Sequence, residues 1–242
     1  HEWGHVLSNR LIGNANGLDN NQGGSMGEGW GDFSALLLTT RAEDATAMAN
    51  ANWTGAFAAA AYSTGPANNS AYNGIRRYPY STDLNKNPLT FRHIVNGTAL
   101  PALPVPAFGA DGANNAEVHN VGEIWANMLW ECYVALLRDT GRYTFVQARQ
   151  AMREYLVASL KLTPISPTMT EARDAVLLAA LARSSKDFEL FANAFAKRGL
   201  GSLAVAPPRG SSTHAGAVES FAVGGVVALD AMTLTDTFRS CD

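Results

Sequence analysis

The chain opens HEWGH. His1 and His5 stand four positions apart, with Glu2 beside the first. On an α-helix this spacing puts both imidazoles on one face, a turn apart, where they can share one cation. A carboxylate next to them can take a proton from a water on that cation, the arrangement of the H-E-x-x-H motif. Two unrelated histidines on a surface helix would give the same letters, so a third ligand decides. The stretch MGEGWGD supplies one in Glu28, across a Gly/Asn-rich segment long enough to fold back. Asp32 follows one turn later. It is placed to accept the other ring N–H of His1, which fixes the tautomer and orientation of a metal-binding histidine. Two histidines, one glutamate and an open fourth position make a catalytic site rather than a closed structural one.

The elements that must hold these residues read as mostly helical. Residues 1–9 read as a helix, 10–25 as a loop, and the next helix is expected from about Glu28 to Glu43. The Ala-rich residues 50–63 suggest another. Residues 64–100 carry Pro, Gly and Asn throughout and predict irregular structure with short turns. Val121, Ile124, Trp125, Met128, Leu129 and Cys132 mark one face of a long helix over about 121–137. Further helices are expected over about 144–160, over 170–183 with Thr170 as N-cap, and from Ser184 or Ser185 to Arg198, where Gly199 stops it. No internal repeat is visible. The expected domain is 1–221, followed by a tail or linker at 222–242.

The bulk properties fit a globular catalytic unit. Of the 242 residues 47% are apolar, enough for a sizeable core, and the net charge of −3 argues against a nucleic-acid surface. No apolar run is long enough for a transmembrane span, so no membrane partner is expected. Cys132 and Cys241 allow one bridge in an oxidising compartment, and two unpaired thiols serve equally well. Asn52, Asn68 and Asn96 begin formal glycosylation sequons, which matter only on a eukaryotic secretory route. His93 and His214 carry no motif and read as structural or solvent-exposed. Trp125 and Trp130 read as core.

HEWGH followed by GEGWGD resembles the gluzincin metallopeptidases, and more narrowly the fungalysin (M36-type) family, similar in catalytic design to thermolysin. GIRRYPYST at 74–82, NPLTF at 87–91, VHNVGEIWANMLWE at 118–131, ARDAVL at 172–177 and AFAKRGLG at 194–201 extend the resemblance over about residues 1–201. Several motifs in the right order are more specific than any one. The fold class the resemblance implies is mainly α, the helical C-terminal subdomain of a thermolysin-like metallopeptidase.

The resemblance implies His1, His5 and Glu28 as ligands of one zinc ion and Glu2 as general base. It implies His119 as hydrogen-bond donor to the oxyanion of the tetrahedral intermediate; a helix cap or a packing histidine is the alternative. Glu117 is a weak match for the group that orients His119, with Asn114 standing nearer the expected position. It suggests Arg76 or Arg77 near a substrate carbonyl; the alternative is an ion pair holding the loop, perhaps to Asp83. No tyrosine stands between His5 and Glu28 to serve as a second oxyanion donor. Polypeptide substrates and a secreted, extracellular location follow from the resemblance. Calcium is compatible with such a protein, but nothing in the sequence indicates it.

In such enzymes a sheet-bearing N-terminal subdomain walls the cleft, and a propeptide usually accompanies synthesis. Neither is expected within these residues. The chain is therefore read as a truncated catalytic region, beginning at the zinc motif and weakly active or inactive alone. Two other readings stand beside the zinc endopeptidase: an inactive zinc-binding or structural fragment, and a zinc aminopeptidase, for which no amine-binding motif is found.

Overall fold

A computed structural model describes residues 1–64, 70–102 and 114–223. The sequon at Asn68, Cys241 and nearly all of the expected tail lie outside the described residues. Seven α-helices run through them: α1 (Glu2–Leu11), α2 (Asn21–Thr39), the short α3 (Ser70–Asn73), α4 (Val118–Arg138), α5 (Phe145–Leu162), α6 (Met169–Arg183) and α7 (Ser185–Lys197). The β-structure among these residues is limited to isolated bridges, Phe57–Tyr80, Ala59–Gly74, Leu200–Ser220 and Val205–Val218.

α4 is the spine. It is buried along most of its length, against α2 on one side and α7 on another. Trp30 of α2 meets Trp125 of α4 edge-on, with ring centroids 5.7 Å apart, and Trp125 in turn packs on Phe195 of α7. These large rings dominate the core, because an aromatic side chain removes more apolar area from water than any aliphatic one. Trp125 and Trp130 are core residues, as expected.

The later helices begin where their chemistry says. Thr144 and Gln147 form a capping box at α5, and Ser184 accepts the N–H of Asp187 at α7. The cap of α6 lies two residues before the expected one. Thr168, not Thr170, is its N-cap, because Glu171 reaches back to the Thr168 N–H at 2.7 Å and completes the box. Gly199 ends the α7 region in the left-handed conformation, φ +80°.

Two expectations fail for tertiary reasons. The supposed loop 10–25 is much shorter, since α2 starts at Asn21 and continues through five glycines. Asn20 caps it by accepting from Gly23 N–H at 3.1 Å. Buried Gln22 ties it to the carbonyl of Pro207 and the N–H of Met169. The Ala-rich 50–63 is not an α-helix. Asn52, Trp53 and Ala60 take positive φ, Asn50 folds back on Gly55 N–H, and Phe57 pairs with Tyr80 while its ring lies on Trp130. Burial of Trp53 and Phe57 outweighs the weak helix preference of alanine.

Candidate metal centre

His1 caps α1 and His5 sits one turn on, so the two rings meet edge to face with their Nε2 atoms 3.0 Å apart. Glu28, from the middle of α2, closes the triangle: Oε2 lies 3.2 Å from His1 Nε2 and Oε1 3.6 Å from His5 Nε2. The three groups offer one atom each within 4.8 Å of one another. Tetrahedral bonds of about 2.1 Å to N and O donors put those donors about 3.4 Å apart, so the spacing fits a zinc-sized cation. The chemistry fits too. Glu28 Oε2 is buried and faces two imidazole nitrogens, His1 Nε2 at 3.2 Å and His119 Nε2 at 3.3 Å, so nitrogen and carboxylate donors converge on one point where a cation would satisfy them together.

Two helices can bring the triangle together only because glycines let them touch. A Cβ on Gly31 would lie 2.9 Å from His1 Cε1, and one on Gly4 would lie 2.7 Å from Gly31 Cα. Across the other face of α2, a Cβ on Gly29 would lie 2.5 Å from the carbonyl oxygen of Gly122. The alternating glycines of GEGWGD therefore make room for the His1 ring on one side and for α4 on the other.

Asp32 sits a turn beyond Glu28, 1% exposed, and accepts His1 Nδ1–H at 2.6 Å. That bond turns His1 Nε2 toward the triangle. Asp32 also accepts from Arg76, through Nε at 2.6 Å and Nη2 at 3.1 Å, and from the buried Tyr80 hydroxyl. Burial alone would raise its carboxyl, but the donors from His1 and Arg76 overcome this and hold it at about 2. The same hydrogen bond to Asp32, with a second to Glu28, raises metal-free His1 to about 9. Glu28 is held below its ordinary value, the three histidines outweighing its desolvation.

His119 arrives from the first turn of α4. Its Nε2 lies 3.3 Å from Glu28 Oε2, and its Nδ1 is 2.8 Å from Glu117 Oε1. Its side chain is 38% exposed and the N-cap is Glu117, so it is neither a packing histidine nor a cap. Glu117, rather than Asn114, holds the ring. One oxygen faces His119 Nδ1 while the other accepts the N–H groups of His119 and Asn120. Glu2 is exposed in the first turn of α1.

The arginines form ion pairs that hold the loop, as the alternative reading expected, but with other partners than Asp83. Arg76 is 4% exposed on Asp32, and Arg77 is 5% exposed on Glu123. Buried carboxylates need a fixed countercharge, and a planar guanidinium supplies it with several donors at once. Asp83 instead pairs with Lys86. Tyr80, Glu123 and the glycines Gly4, Gly29, Gly31 and Gly122 are the residues that motif reading missed. The i, i+2 glycine rhythm of GEGWGD was the available signal. His93 and His214 are buried, His93 accepting the Thr90 N–H and His214 lying against the distant carbonyl of Ile94, so they are structural.

A family model described as fungalysin metallopeptidase (M36) matches residues 1–204. The chain belongs to the fungalysin metallopeptidase family. It is 35% identical over 217 residues to the extracellular metalloproteinase mep of Aspergillus terreus, covering 83% of this chain and 29% of that protein. It is 33% identical over 219 residues to extracellular metalloproteinase 2 of Arthroderma otae, covering 84% and 29%. The chain thus spans under a third of the length of these relatives. Its mainly helical architecture is that of the helical C-terminal subdomain of a fungalysin.

Proposed function

We propose that this chain is the zinc-site portion of a secreted fungalysin-type endopeptidase, with His1, His5 and Glu28 as the metal ligands. The observation that carries this reading is the convergence of His1, His5 and Glu28, whose donor atoms all lie within 4.8 Å of one another. His1, His5 and Glu28 would hold a zinc ion there, which would supply Lewis acidity toward a peptide carbonyl and a water. Glu2, on the same helix as the ligand His5, takes the proton of the attacking water and hands it to the leaving amine. His119 donates from Nε2 to the developing oxyanion while Glu117 holds Nδ1. Asp32, fixed by Arg76 and Tyr80, keeps His1 in the tautomer that binds through Nε2.

On this reading the substrates are polypeptides and the location is extracellular, which the family and the names of the relatives support. No described helix is long and apolar enough to cross a membrane. Because the matched portion is 29% of each relative, activity is assigned to a longer protein, and this chain by itself is expected to be weakly active or inactive.

Zinc titration of the purified chain by calorimetry tests the ligand set. One tight site lost in Glu28→Ala is the expected result. Loose binding that Glu28→Ala leaves unchanged would remove the assignment. In the longer protein, peptide cleavage should be abolished by a chelator and by Glu2→Gln, and blocking the peptide N-terminus should make no difference. Cleavage that requires a free N-terminus would favour an aminopeptidase.

A further inference from the structure

Arg76 and Arg77 are neighbours in the chain, yet they grip different helices. Arg76 holds Asp32 on α2, behind the ligand His1. Arg77 holds the start of α4. Its backbone N–H and its Nε bind the two oxygens of Glu123, at 3.0 and 2.5 Å. Its Nη2 donates to the carbonyl of Asn120 at 2.8 Å, and its Nη1 to Asn115 Oδ1 at 3.0 Å. Asn115 in turn donates to the carbonyls of Val95 and Thr98. Glu123 is one turn after His119 on the same face of α4, and it is 1% exposed. Arg77 therefore ties down the residue after His119, the residue four after it, and the turn that leads into Glu117.

We infer that Arg77 is a positioning residue that sets the place of His119 relative to the metal ligands, with Arg76 fixing the metal side of the same gap. The dipeptide acts as a short strut: one guanidinium defines where His1 stands, the next where His119 stands. One peptide link joins the two anchors, and His119 Nε2 lies 3.3 Å from Glu28 Oε2 across the gap between the helices they hold. The function of the gap rests on the zinc-site reading given above; the anchoring of His119 does not.

Arg77 must act through the fork shape of its side chain. Three separate acceptors surround the guanidinium, and a lysine ammonium keeps the charge without reaching them together. The test is Arg77→Lys in the full chain, with zinc calorimetry and NMR of the histidine ring protons as readouts. The expected result is a zinc dissociation constant within about threefold of the parent, since Arg77 touches none of the ligands. His119 ring signals should shift and broaden or double, while those of His1 and His5 stay in place. An unchanged His119 signal in folded Arg77→Lys overturns the inference. Loss of zinc binding together with the His119 shift overturns it too, because Arg77 would then support the whole site. If Arg77→Lys does not fold, Asn115→Ala carries the decision on the same readouts, since it removes one arm of the anchor. Failure of the parent chain to bind zinc would count against the ligand assignment, and the His119 signals would still judge Arg77.

Discussion

The α5–α7 region and the α1–α2–α4 region of this molecule are built by different rules. In the first, each helix begins at its own capping residues, Thr144 with Gln147, Thr168 with Glu171, and Ser184. Its apolar faces pack by size around one buried carboxylate, Asp187, held by Arg142, Tyr143 and Tyr155. Side-chain caps also begin α2 and α4, so what sets the second region apart is its glycines. In the second, α2 passes through five glycines, and its charged groups are buried: Asp32 with Arg76, Glu123 with Arg77. Local propensity opposes that arrangement, because each mid-helix glycine costs about 1 kcal/mol relative to alanine. The glycines are there so that imidazole rings and a neighbouring helix can come within reach. The difference teaches that the site region is shaped for geometry and the helical region for stability.

Trp125→Ala attacks the joint between the two, because its ring touches Trp30 on one side and Phe195 on the other. It should cost about 3–5 kcal/mol in urea unfolding, and zinc affinity should fall with it. An intact zinc site in this variant would show that the regions are more separate than their shared core suggests. Gly122→Ala presses only on the site region. The new methyl would meet Glu28 Cβ at 2.6 Å and Gly29 N at 2.9 Å. A loss of about 1–3 kcal/mol is expected, with weaker zinc binding because Glu28 must move.

Gly31→Ala should separate geometry from stability more cleanly. The added carbon would lie 2.9 Å from the ring of His1, displacing a proposed ligand that is itself a flexible side chain. Zinc affinity should drop about 10–100-fold, with a smaller change in unfolding than Gly122→Ala. Thr168→Ala is the opposite case. It should lower stability by about 1 kcal/mol through loss of the α6 cap and leave the zinc isotherm unchanged. A binding change there would break the division between the regions.

The smallest effect is a pH dependence confined to the site. His1, raised to about 9, adds stability to the metal-free chain that is complete below its ordinary 6.5 and is lost as pH rises through about 9. Asp32, held at about 2, adds stability above its ordinary 3.8 and loses it as pH falls toward 2. Thermal melts of the metal-free chain should show this pair contributing fully only between 3.8 and 6.5. Zinc must displace the second ring proton of His1 at neutral pH, so calorimetry in buffers of different ionisation enthalpy should report about one proton released. Equal heats in those buffers would mean that His1 is already neutral.

What the sequence by itself determined was the chemistry and the regular helices. HEWGH and GEGWGD specify two histidines and a glutamate with helix-turn spacing, and Ser184 and the apolar face of residues 121–132 specify helices through local contacts. Only the tertiary structure decided where α2 begins, why residues 50–63 are not an α-helix, and which carboxylates Arg76 and Arg77 meet. Each of those outcomes depends on partners far away in the chain: Gln22 on Pro207 and Met169, Phe57 on Trp130, Arg77 on Glu123. A buried charge takes the countercharge that the fold brings to it, and a glycine-rich stretch becomes helix when close packing rewards the missing side chains. Neither condition can be read from neighbouring residues, because both are set by what arrives from the other side of the core.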